Sequence, residues 1–136
     1  MKRFLFLLML LAVGVSACAR PQPSATSESS ATLAAVPSDY AGLDNPFGVE
    51  DVSEGQALYK TNCATCHGEA GRGDGSVAPS LNPRPVDLVK LNEAATDDYL
   101  FWRISTGSAG TAMAGWKGIL SEEQIWKVIA ALRAMK

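Results

Sequence analysis

The chain has 136 residues, 47% of them apolar, and a formal net charge of −2. The length excludes a multidomain enzyme, and the mild acidity excludes a generic nucleic-acid binder, which carries a basic patch or stripe. The apolar residues are unevenly distributed, because 13 of the first 17 residues are apolar. After that segment the chain holds three cysteines and one histidine, and the functional prediction depends on their positions.

Residues 1–17 have the layout of a secretory signal. Lys2 and Arg3 provide a basic start, an apolar run extends over residues 4–13, and small residues follow. The run is short for a membrane-spanning helix, which needs about 20 apolar residues. The alternative is an uncleaved N-terminal anchor. Both interpretations predict that the rest of the chain is exported across a membrane.

Cys18 follows Val15-Ser16-Ala17, a sequence that resembles the bacterial lipoprotein signal. The resemblance implies that Cys18 becomes the acylated N-terminus and anchors the protein to a membrane. Several acyl chains anchor a protein stably, whereas a single chain holds it only marginally. The alternative is ordinary cleavage that leaves Cys18 as a free thiol.

Residues 19–45 are dominated by Ala, Ser, Thr and Pro and show neither helical nor strand periodicity. Such a composition buries too little apolar surface to order itself. We therefore predict three parts: a lipoprotein-type signal peptide over residues 1–17, the lipidated cysteine with a flexible tether over 18–45, and a compact domain over 46–136.

The first predicted helix of the domain extends towards Asn62. Ser53 and Gln56 have the spacing of a capping box, in which each side chain bonds the other residue's backbone N–H. Gly55 lacks a side chain, which predicts that this helix crosses closely over the last helix near Trp126.

Two further helices are predicted. Thr96 can cap the second helix, and Gly107 is a natural end for it. Ser121 and Gln124 form another capping box that opens the third helix. One apolar face follows at helical spacing, formed by Ile125, Val128, Ile129 and Leu132.

Residues 68–90 contain four glycines and three prolines and are predicted to be loop. Gly71, Gly73 and Gly75 form no phosphate cradle, because the strand and the helix-opening turn of such a site are missing. No alternating strand pattern is visible in the domain. The predicted fold class is therefore all-α.

The stretch Cys63-Ala64-Thr65-Cys66-His67 is the c-type haem attachment pattern. Two thiols three residues apart at the end of a helix can reach the two vinyl groups along one haem edge. The histidine directly after the second thiol then lies under the iron. The pattern therefore predicts one covalently bound haem c, attached through Cys63 and Cys66, with His67 as an iron ligand.

Three other interpretations of these residues fit the sequence less well. A structural zinc site needs four Cys or His ligands, and at most three are available here. A thioredoxin-like redox pair would lie near a βαβ pattern, which is absent. A disulfide between Cys63 and Cys66 would close a very tight loop and would leave His67 unexplained.

The chain from about Ser53 to Lys136 resembles a class I cytochrome c in its short bacterial form. The matching segments appear in the family's order: Gly55, Tyr59, the CATCHG stretch at 63–68, Ala78-Pro79-Ser80-Leu81, the segment 110–116 and the final helix that begins LSEEQIW. The resemblance implies three or four short helices around one covalent haem c. One departure is Ala114, where many relatives have proline.

Met113 is the predicted second iron ligand, both by elimination and by this resemblance. Met1 and Met9 lie in the signal and Met135 lies beside the C-terminus, whereas Met113 lies in a glycine-flanked loop. His and Met together are the ligands of electron-carrying cytochromes c. The alternative is a Met113 that only packs and leaves the iron open.

The resemblance also implies a role for Pro79, whose backbone carbonyl would accept a hydrogen bond from the other ring nitrogen of His67 and fix the ring. A plain loop proline is the alternative. The sequence does not select among four side chains that could bond the haem propionates, namely Arg84, Trp102, Arg103 and Trp116.

The sequence therefore predicts a lipid-anchored carrier of single electrons in a bacterial respiratory or photosynthetic chain, not an enzyme. Its expected partners are redox proteins (a quinol-oxidising complex, an oxidase or a reaction centre) and the membrane through Cys18, with no nucleic acid and no small-molecule substrate. The plan resembles the monohaem cytochrome subunit of alternative complex III, and Asn45-Pro46 fits it. The haem domain is expected on the periplasmic or outer face. The alternative function is a ligand-binding haem sensor or a peroxidase-like protein with an open iron.

Overall fold

A computed structural model describes residues 33–136 of the chain. Two 3-10 turns lie at Val49–Asp51 and Ala78–Ser80. Over these residues the structure contains no strand, only isolated bridges, which confirms the all-α prediction. Five α-helices follow one another: α1 (Val52–Asn62), α2 (Ala64–His67), α3 (Leu88–Ala94), α4 (Asp97–Thr106) and α5 (Glu122–Arg133).

Helix α5 forms the centre of the core, as the apolar spacing predicts. Its four predicted core residues are buried, with exposures of 0–3%. The predicted capping box is present, because Ser121 Oγ accepts from the backbone N–H of Gln124 and Gln124 Oε1 accepts from that of Ser121. The sequence therefore determines both the start and the buried face of this helix.

Helix α1 crosses α5 at Gly55. A Cβ atom at this position would lie only 1.9 Å from the backbone oxygen of Lys127, so only glycine fits between the two helices. This confirms the predicted close crossing. The predicted capping box at Ser53 is wrong, because the preceding 3-10 turn extends the helix start to Val52 and leaves Asp51 at the N-cap without a side-chain bond.

Helix α4 has the predicted ends, since Thr96 is its N-cap residue and Gly107 follows it with φ +78°. The Thr96 hydroxyl donates to the carboxylate of Asp98 instead of capping the helix backbone. The buried face of α4 meets α5, and the ring of Phe101 stacks on Trp126 with centroids 4.2 Å apart.

Helix α3 begins near the end of the region predicted as loop (residues 68–90) and extends beyond it to Ala94. It begins because Asp87 accepts hydrogen bonds from the backbone N–H groups of Val89 and Lys90, which is a regular N-cap arrangement. Its C-terminal end is fastened to α5, since Arg133 donates to the backbone oxygen of Asn92 at 3.0 Å and to that of Ala95 at 2.8 Å.

Residues 33–48, here called the strap, pack along α4 and α5. Leu33, Val36, Tyr40 and Phe47 of the strap contact the core. The ring of Tyr40 lies 6.2 Å from that of Phe101, centroid to centroid. The prediction that the flexible tether extends to residue 45 is therefore wrong for residues 33–45. Their apolar residues follow no helical or strand period, so the sequence pattern does not indicate that they pack on the core.

Hydrogen bonds between backbone groups and side chains fix the position of the strap on the domain. The N–H of Gly42 donates to Asp98, and the side-chain amide of Asn45 donates to the carbonyl of Trp126 at 3.0 Å. The bonds from Thr96 and Gly42 lower the pKa of the Asp98 carboxyl, so the acceptor stays ionised at neutral pH. Asn45 also accepts from the N–H of Phe47, which gives Asn45-Pro46 a structural role.

Replacing Tyr40 with alanine tests the strap. We expect the free energy of unfolding to fall by about 1–2 kcal/mol, because the partly buried ring loses its contact with Phe101. Denaturant unfolding of the two proteins measures the difference. Ser38→Ala, an exposed neighbour, is the control, and an equal effect of both substitutions would show that the strap does not pack.

The predicted signal peptide, the lipidated Cys18 and the first part of the predicted tether lie outside the described residues and stay predictions. Among residues 33–136 no helix is long and apolar enough to cross a membrane.

Candidate functional site

Helices α1 and α2 position the two cysteines and the histidine. Helix α1 ends at Asn62, and the N–H of Cys63 still donates to the carbonyl of Tyr59 at 2.8 Å. A single turn follows, in which the N–H groups of Cys66 and His67 both donate to the carbonyl of Cys63. The attachment motif therefore folds as one helical turn with its backbone bonds made internally.

A glycine-rich loop supports this turn from outside. Gly73 and Gly75 donate their N–H groups to the carbonyls of His67 and Cys66 at 2.8 and 3.2 Å. A Cβ atom on Gly75 would lie 2.3 Å from the carbonyl oxygen of Thr65, so glycine is required for this close approach. Gly73 and Gly75 therefore support the attachment motif.

Tyr59 connects α1 to the end of the motif. Its side chain is 3% exposed, and its hydroxyl donates to the backbone oxygen of Gly68 at 2.7 Å. Burial, and to a lesser degree Cys63 and Asp74, raises the pKa of the Tyr59 hydroxyl, which stays protonated and able to donate. The sequence did not single out this contact, because nothing local pairs residue 59 with residue 68.

Replacing Tyr59 with phenylalanine removes only that hydroxyl. We expect a loss of about 1 kcal/mol of unfolding free energy, because one buried hydrogen bond disappears while the ring still packs. Thermal unfolding measures it. Tyr99→Phe is the matched control, since the Tyr99 hydroxyl accepts only a 3.3 Å bond from Arg103, and an equal loss in both variants would contradict the special role of Tyr59.

Met113 lies in the turn-rich segment after α4. The N–H of Ser108 donates to the carbonyl of Met113 at 3.0 Å, and the Thr111 hydroxyl accepts from the N–H of Met113 at 3.1 Å. The N–H of Trp116 donates to the carbonyl of Ile104 at 2.9 Å, which returns the segment to α4. These bonds hold the methionine on the structure although no regular helix contains it.

The two segments meet at a cavity of about 300 Å³. Cys63, Cys66, His67 and Met113 all line it, so the structure brings together the four predicted haem-binding side chains from positions up to 50 residues apart. Its volume falls in the range of small-molecule and cofactor sites. The remaining lining residues are Asn62, Leu81, Pro83, Arg84, Pro85, Val86, Ile104, Ser108, Thr111, Ala112, Ala114 and Trp116.

The donor atoms in this cavity fit a haem iron. The Nδ1 atom of His67 is buried and has no hydrogen-bond partner, which is costly for a polar atom that binds nothing. Burial lowers the pKa of His67, an effect that the backbone of Val86 partly opposes, so the ring is neutral at pH 7, as a metal ligand must be. The thioether of Met113 completes the pair of ligands that c-type haems use.

Cys63 and Cys66 are both half-buried, and no disulfide joins them in the described residues. Burial, and then the neighbouring Cys66, raises the pKa of Cys63 to about 11, so this thiol is protonated at neutral pH. Residues 33–136 contain no cluster of three or more His, Cys, Asp or Glu side chains that could hold a metal ion. The zinc and disulfide alternatives therefore have no counterpart in the described part of the chain.

The hydrogen bond expected between Pro79 and His67 is not made among the described residues. Pro79 is exposed, lies within the second 3-10 turn and does not line the cavity. The turn is held through other groups, since Ala78 donates to the carbonyl of Gly75 at 2.9 Å. Sequence spacing placed Pro79 near the motif but could not determine where its carbonyl points.

The structure separates the four candidate propionate donors. Arg84 and Trp116 line the cavity, whereas Arg103 and Trp102 do not. The guanidinium of Arg103 stacks over the ring of Trp102 at 4.0 Å and also contacts Tyr99. The structure therefore shows that two of the four candidates, Arg84 and Trp116, lie at the cavity wall, a distinction that the sequence does not make.

Comparisons with known proteins identify the relatives of this chain. A family profile described as cytochrome c oxidase, cbb3-type, subunit III matches residues 50–130. The chain is 34% identical over 95 residues to the cbb3-type cytochrome c oxidase subunit FixP of Bradyrhizobium diazoefficiens. It is 30% identical over 91 residues to cytochrome c6 of Synechococcus, with 65% of this chain and 73% of that protein covered.

Larger redox proteins contain a similar region. The chain is 31% identical over 90 residues to 1-butanol dehydrogenase (cytochrome c) of Thauera butanivorans. A chain of a reducing HAO-like protein complex of Kuenenia stuttgartiensis superposes with a TM-score of 0.57 at 25% identity, covering 67% of this chain and 46% of that one. The alignment covers 69% of this chain and 30% of FixP, and 66% of this chain and 12% of the dehydrogenase.

Proposed function

The chain belongs to the cytochrome c family, in the class I form with a single attachment motif, and we propose that it carries single electrons on one covalent haem c within a bacterial respiratory or photosynthetic chain. The observation that carries this proposal is the convergence of Cys63, Cys66, His67 and Met113 on one cavity. A haem c held there would supply one reversibly exchanged electron at its iron.

Different residues would bind different parts of the haem. The thiols of Cys63 and Cys66 would form the two thioether bonds, and the turn that bears them is fixed by its own backbone bonds. His67 and Met113 would bind the iron from two separate segments of the chain. With both positions filled by side chains, no position remains for a substrate, which favours a carrier over an enzyme.

The second candidate function is a haem sensor or peroxidase-like protein in which Met113 stays off the iron. The hydrogen bonds that fix the Met113 segment favour the carrier, because a sensor needs that position free or easily vacated. The absorption spectrum separates the two functions. A carrier shows the ferric sulfur-to-iron charge-transfer band and does not bind carbon monoxide readily when reduced, whereas ready binding would contradict the carrier.

We infer from the relatives that the partner is a redox complex. The names of the similar proteins describe an oxidase subunit, a dehydrogenase and a component of an HAO-like complex. Both a mobile shuttle and a fixed subunit, including the cytochrome of a quinol-oxidising complex such as alternative complex III, are consistent with this domain. The contacts of Asn45 explain its presence by packing alone, so Asn45-Pro46 favours neither arrangement.

We further propose that the protein is exported and anchored through a lipidated Cys18, with the domain on the periplasmic or outer face of a bacterial membrane. Because the strap packs on the domain, residues 18–32 are the part of the chain that would separate the domain from the anchor. Cys18→Ser should release the protein from the membrane fraction without changing its spectrum. Retention in the membrane would contradict the lipid anchor.

A further inference from the structure

The strap is an addition to the cytochrome c domain. It occupies residues 33–48, whereas the family profile matches residues 50–130. Helices α1 to α5 and the four side chains that converge on the cavity all follow the strap in the chain, and no strap residue lines the cavity. The strap therefore contributes no helix to the core and no wall to the haem site.

The strap packs on the domain without becoming part of its interior. None of its sixteen residues is fully buried: eleven are exposed and five are half-buried, namely Leu33, Val36, Tyr40, Asn45 and Phe47. In helix α5, by contrast, eight of twelve residues are buried. A segment with so few buried contacts can open while the core stays folded.

Three hydrogen bonds attach the strap to the helices. The N–H of Gly42 donates to Asp98 at 2.9 Å, and the N–H of Asn45 donates to Asp97 at 3.3 Å. The side-chain amide of Asn45 donates to the carbonyl of Trp126 at 3.0 Å. Gly42 is exposed and Asn45 is half-buried, so water can replace these partners when the strap opens.

The attachment of the strap limits how far the domain can lie from an anchor at Cys18. A chain spans at most about 3.5 Å per residue. The 15 residues from Cys18 to Leu33 therefore reach at most about 50 Å. With the strap released, the 31 residues from Cys18 to Val49 reach at most about 110 Å. Release of the strap about doubles the maximum reach of the domain.

We propose that the strap is a releasable extension of the membrane tether. Docked on α4 and α5, it keeps the haem domain close to the anchor. Released, it lets the intact domain reach redox partners farther from the membrane. Release separates Tyr40 from Phe101, which makes the docked state the major one. This inference rests on the proposed lipid anchor at Cys18.

Amide hydrogen exchange of the purified holoprotein tests the release itself. The protection factor of the Gly42 N–H should be at least about tenfold below that of Ile129, which is fully buried in α5. In Asn45→Ala one hydrogen bond to the domain is lost, so Gly42 should exchange about fivefold faster while Ile129 is unaffected. Equal protection of Gly42 and Ile129, or an equal change of both in Asn45→Ala, would overturn the proposal.

Asn92→Ala is the matched control for the exchange experiment. Asn92 also donates its side-chain amide to a carbonyl of α5, that of Leu132, but it belongs to α3 and not to the strap. The exchange of Gly42 should therefore be the same in Asn92→Ala as in the unsubstituted protein. Faster exchange of Gly42 in this variant, to the extent seen in Asn45→Ala, would show that the strap opens only together with the core.

Quenching by the haem measures the reach of the domain. Full-length holoprotein is reconstituted in phosphatidylcholine vesicles that contain a lipid with a dansyl-labelled headgroup. Tyr40→Ala combined with Asn45→Ala should raise the released fraction about fiftyfold, with partial loss of quenching and an unchanged absorption spectrum. Asn92→Ala should quench like the unsubstituted protein.

Two results of the vesicle experiment would overturn the proposal. One is quenching by the double variant equal to that of the unsubstituted protein. The other is a double variant that yields no holoprotein, since the strap would then be part of the core. Failure of the unsubstituted holoprotein to bind the vesicles would instead contradict the lipid anchor, and Cys18→Ser, which should not bind, provides the reference for that outcome.

Discussion

Replacing Met113 with alanine is expected to open one coordination position of the bound iron while the haem stays attached. Met113 lines the same cavity as the attachment motif but comes from a different segment of the chain. No other methionine of residues 33–136 lines it. The ferric sulfur-to-iron band should disappear, and the reduced protein should bind carbon monoxide. The midpoint potential should fall by about 120 mV, which corresponds to a hundredfold change in the relative stability of the two oxidation states.

Met135→Ala is the matched control for this prediction. Met135 packs against the core beside Gly71, and a Cβ atom built on Gly71 would lie 2.8 Å from the sulfur of Met135. Met135 does not line the cavity. Its loss should cost some stability and leave the spectrum unchanged. Retention of the band in Met113→Ala would show that another group binds the iron, and loss of the band in Met135→Ala would identify that group.

The second large effect is expected from Gly55→Ala. The added methyl group would lie 1.9 Å from the Lys127 carbonyl oxygen and 3.0 Å from Cβ of Ala131, and both belong to α5. Because a backbone atom cannot rotate away, the helices must separate. Overpacking of this kind costs about 3 kcal/mol, even though alanine favours the helix by about 1 kcal/mol.

Denaturant unfolding of the holoprotein measures the Gly55→Ala effect. Gln56→Ala is the control, since Gln56 is the adjacent, exposed residue of the same helix and should change the unfolding free energy by less than about 0.5 kcal/mol. An unfolding free energy for Gly55→Ala equal to or above that of the unsubstituted protein would contradict the close crossing of α1 and α5.

The parts of the structure that could be predicted are those with local signals. Helix α5 combines a capping box with a regular apolar face, and the attachment motif occupies five consecutive residues, so both were identified from the sequence. Helix α3 is not predicted because it is only seven residues long and directly follows a segment rich in prolines and glycines. Its Asp87 cap was the one available signal.

The strap and the role of Pro79 show what sequence cannot provide. Tyr40 and Asn45 find their partners, Phe101 and Trp126, more than 60 residues away in the chain, and no local pattern encodes such contacts. Pro79 lies in a turn held by backbone bonds, among them the one from Ala78 to Gly75, and no local pattern encodes them. Only the structure shows that Arg84 lines the cavity and that Arg103 does not.

Covalent binding of one haem by Cys63 and Cys66 can be measured from the mass of the intact purified protein under denaturing acidic conditions. We expect a mass increased by that of one haem, with both thiols resistant to alkylation. In Cys63→Ser with Cys66→Ser this increment should be absent. A native protein with the bare polypeptide mass and two alkylatable thiols at positions 63 and 66 would show that no haem is attached there.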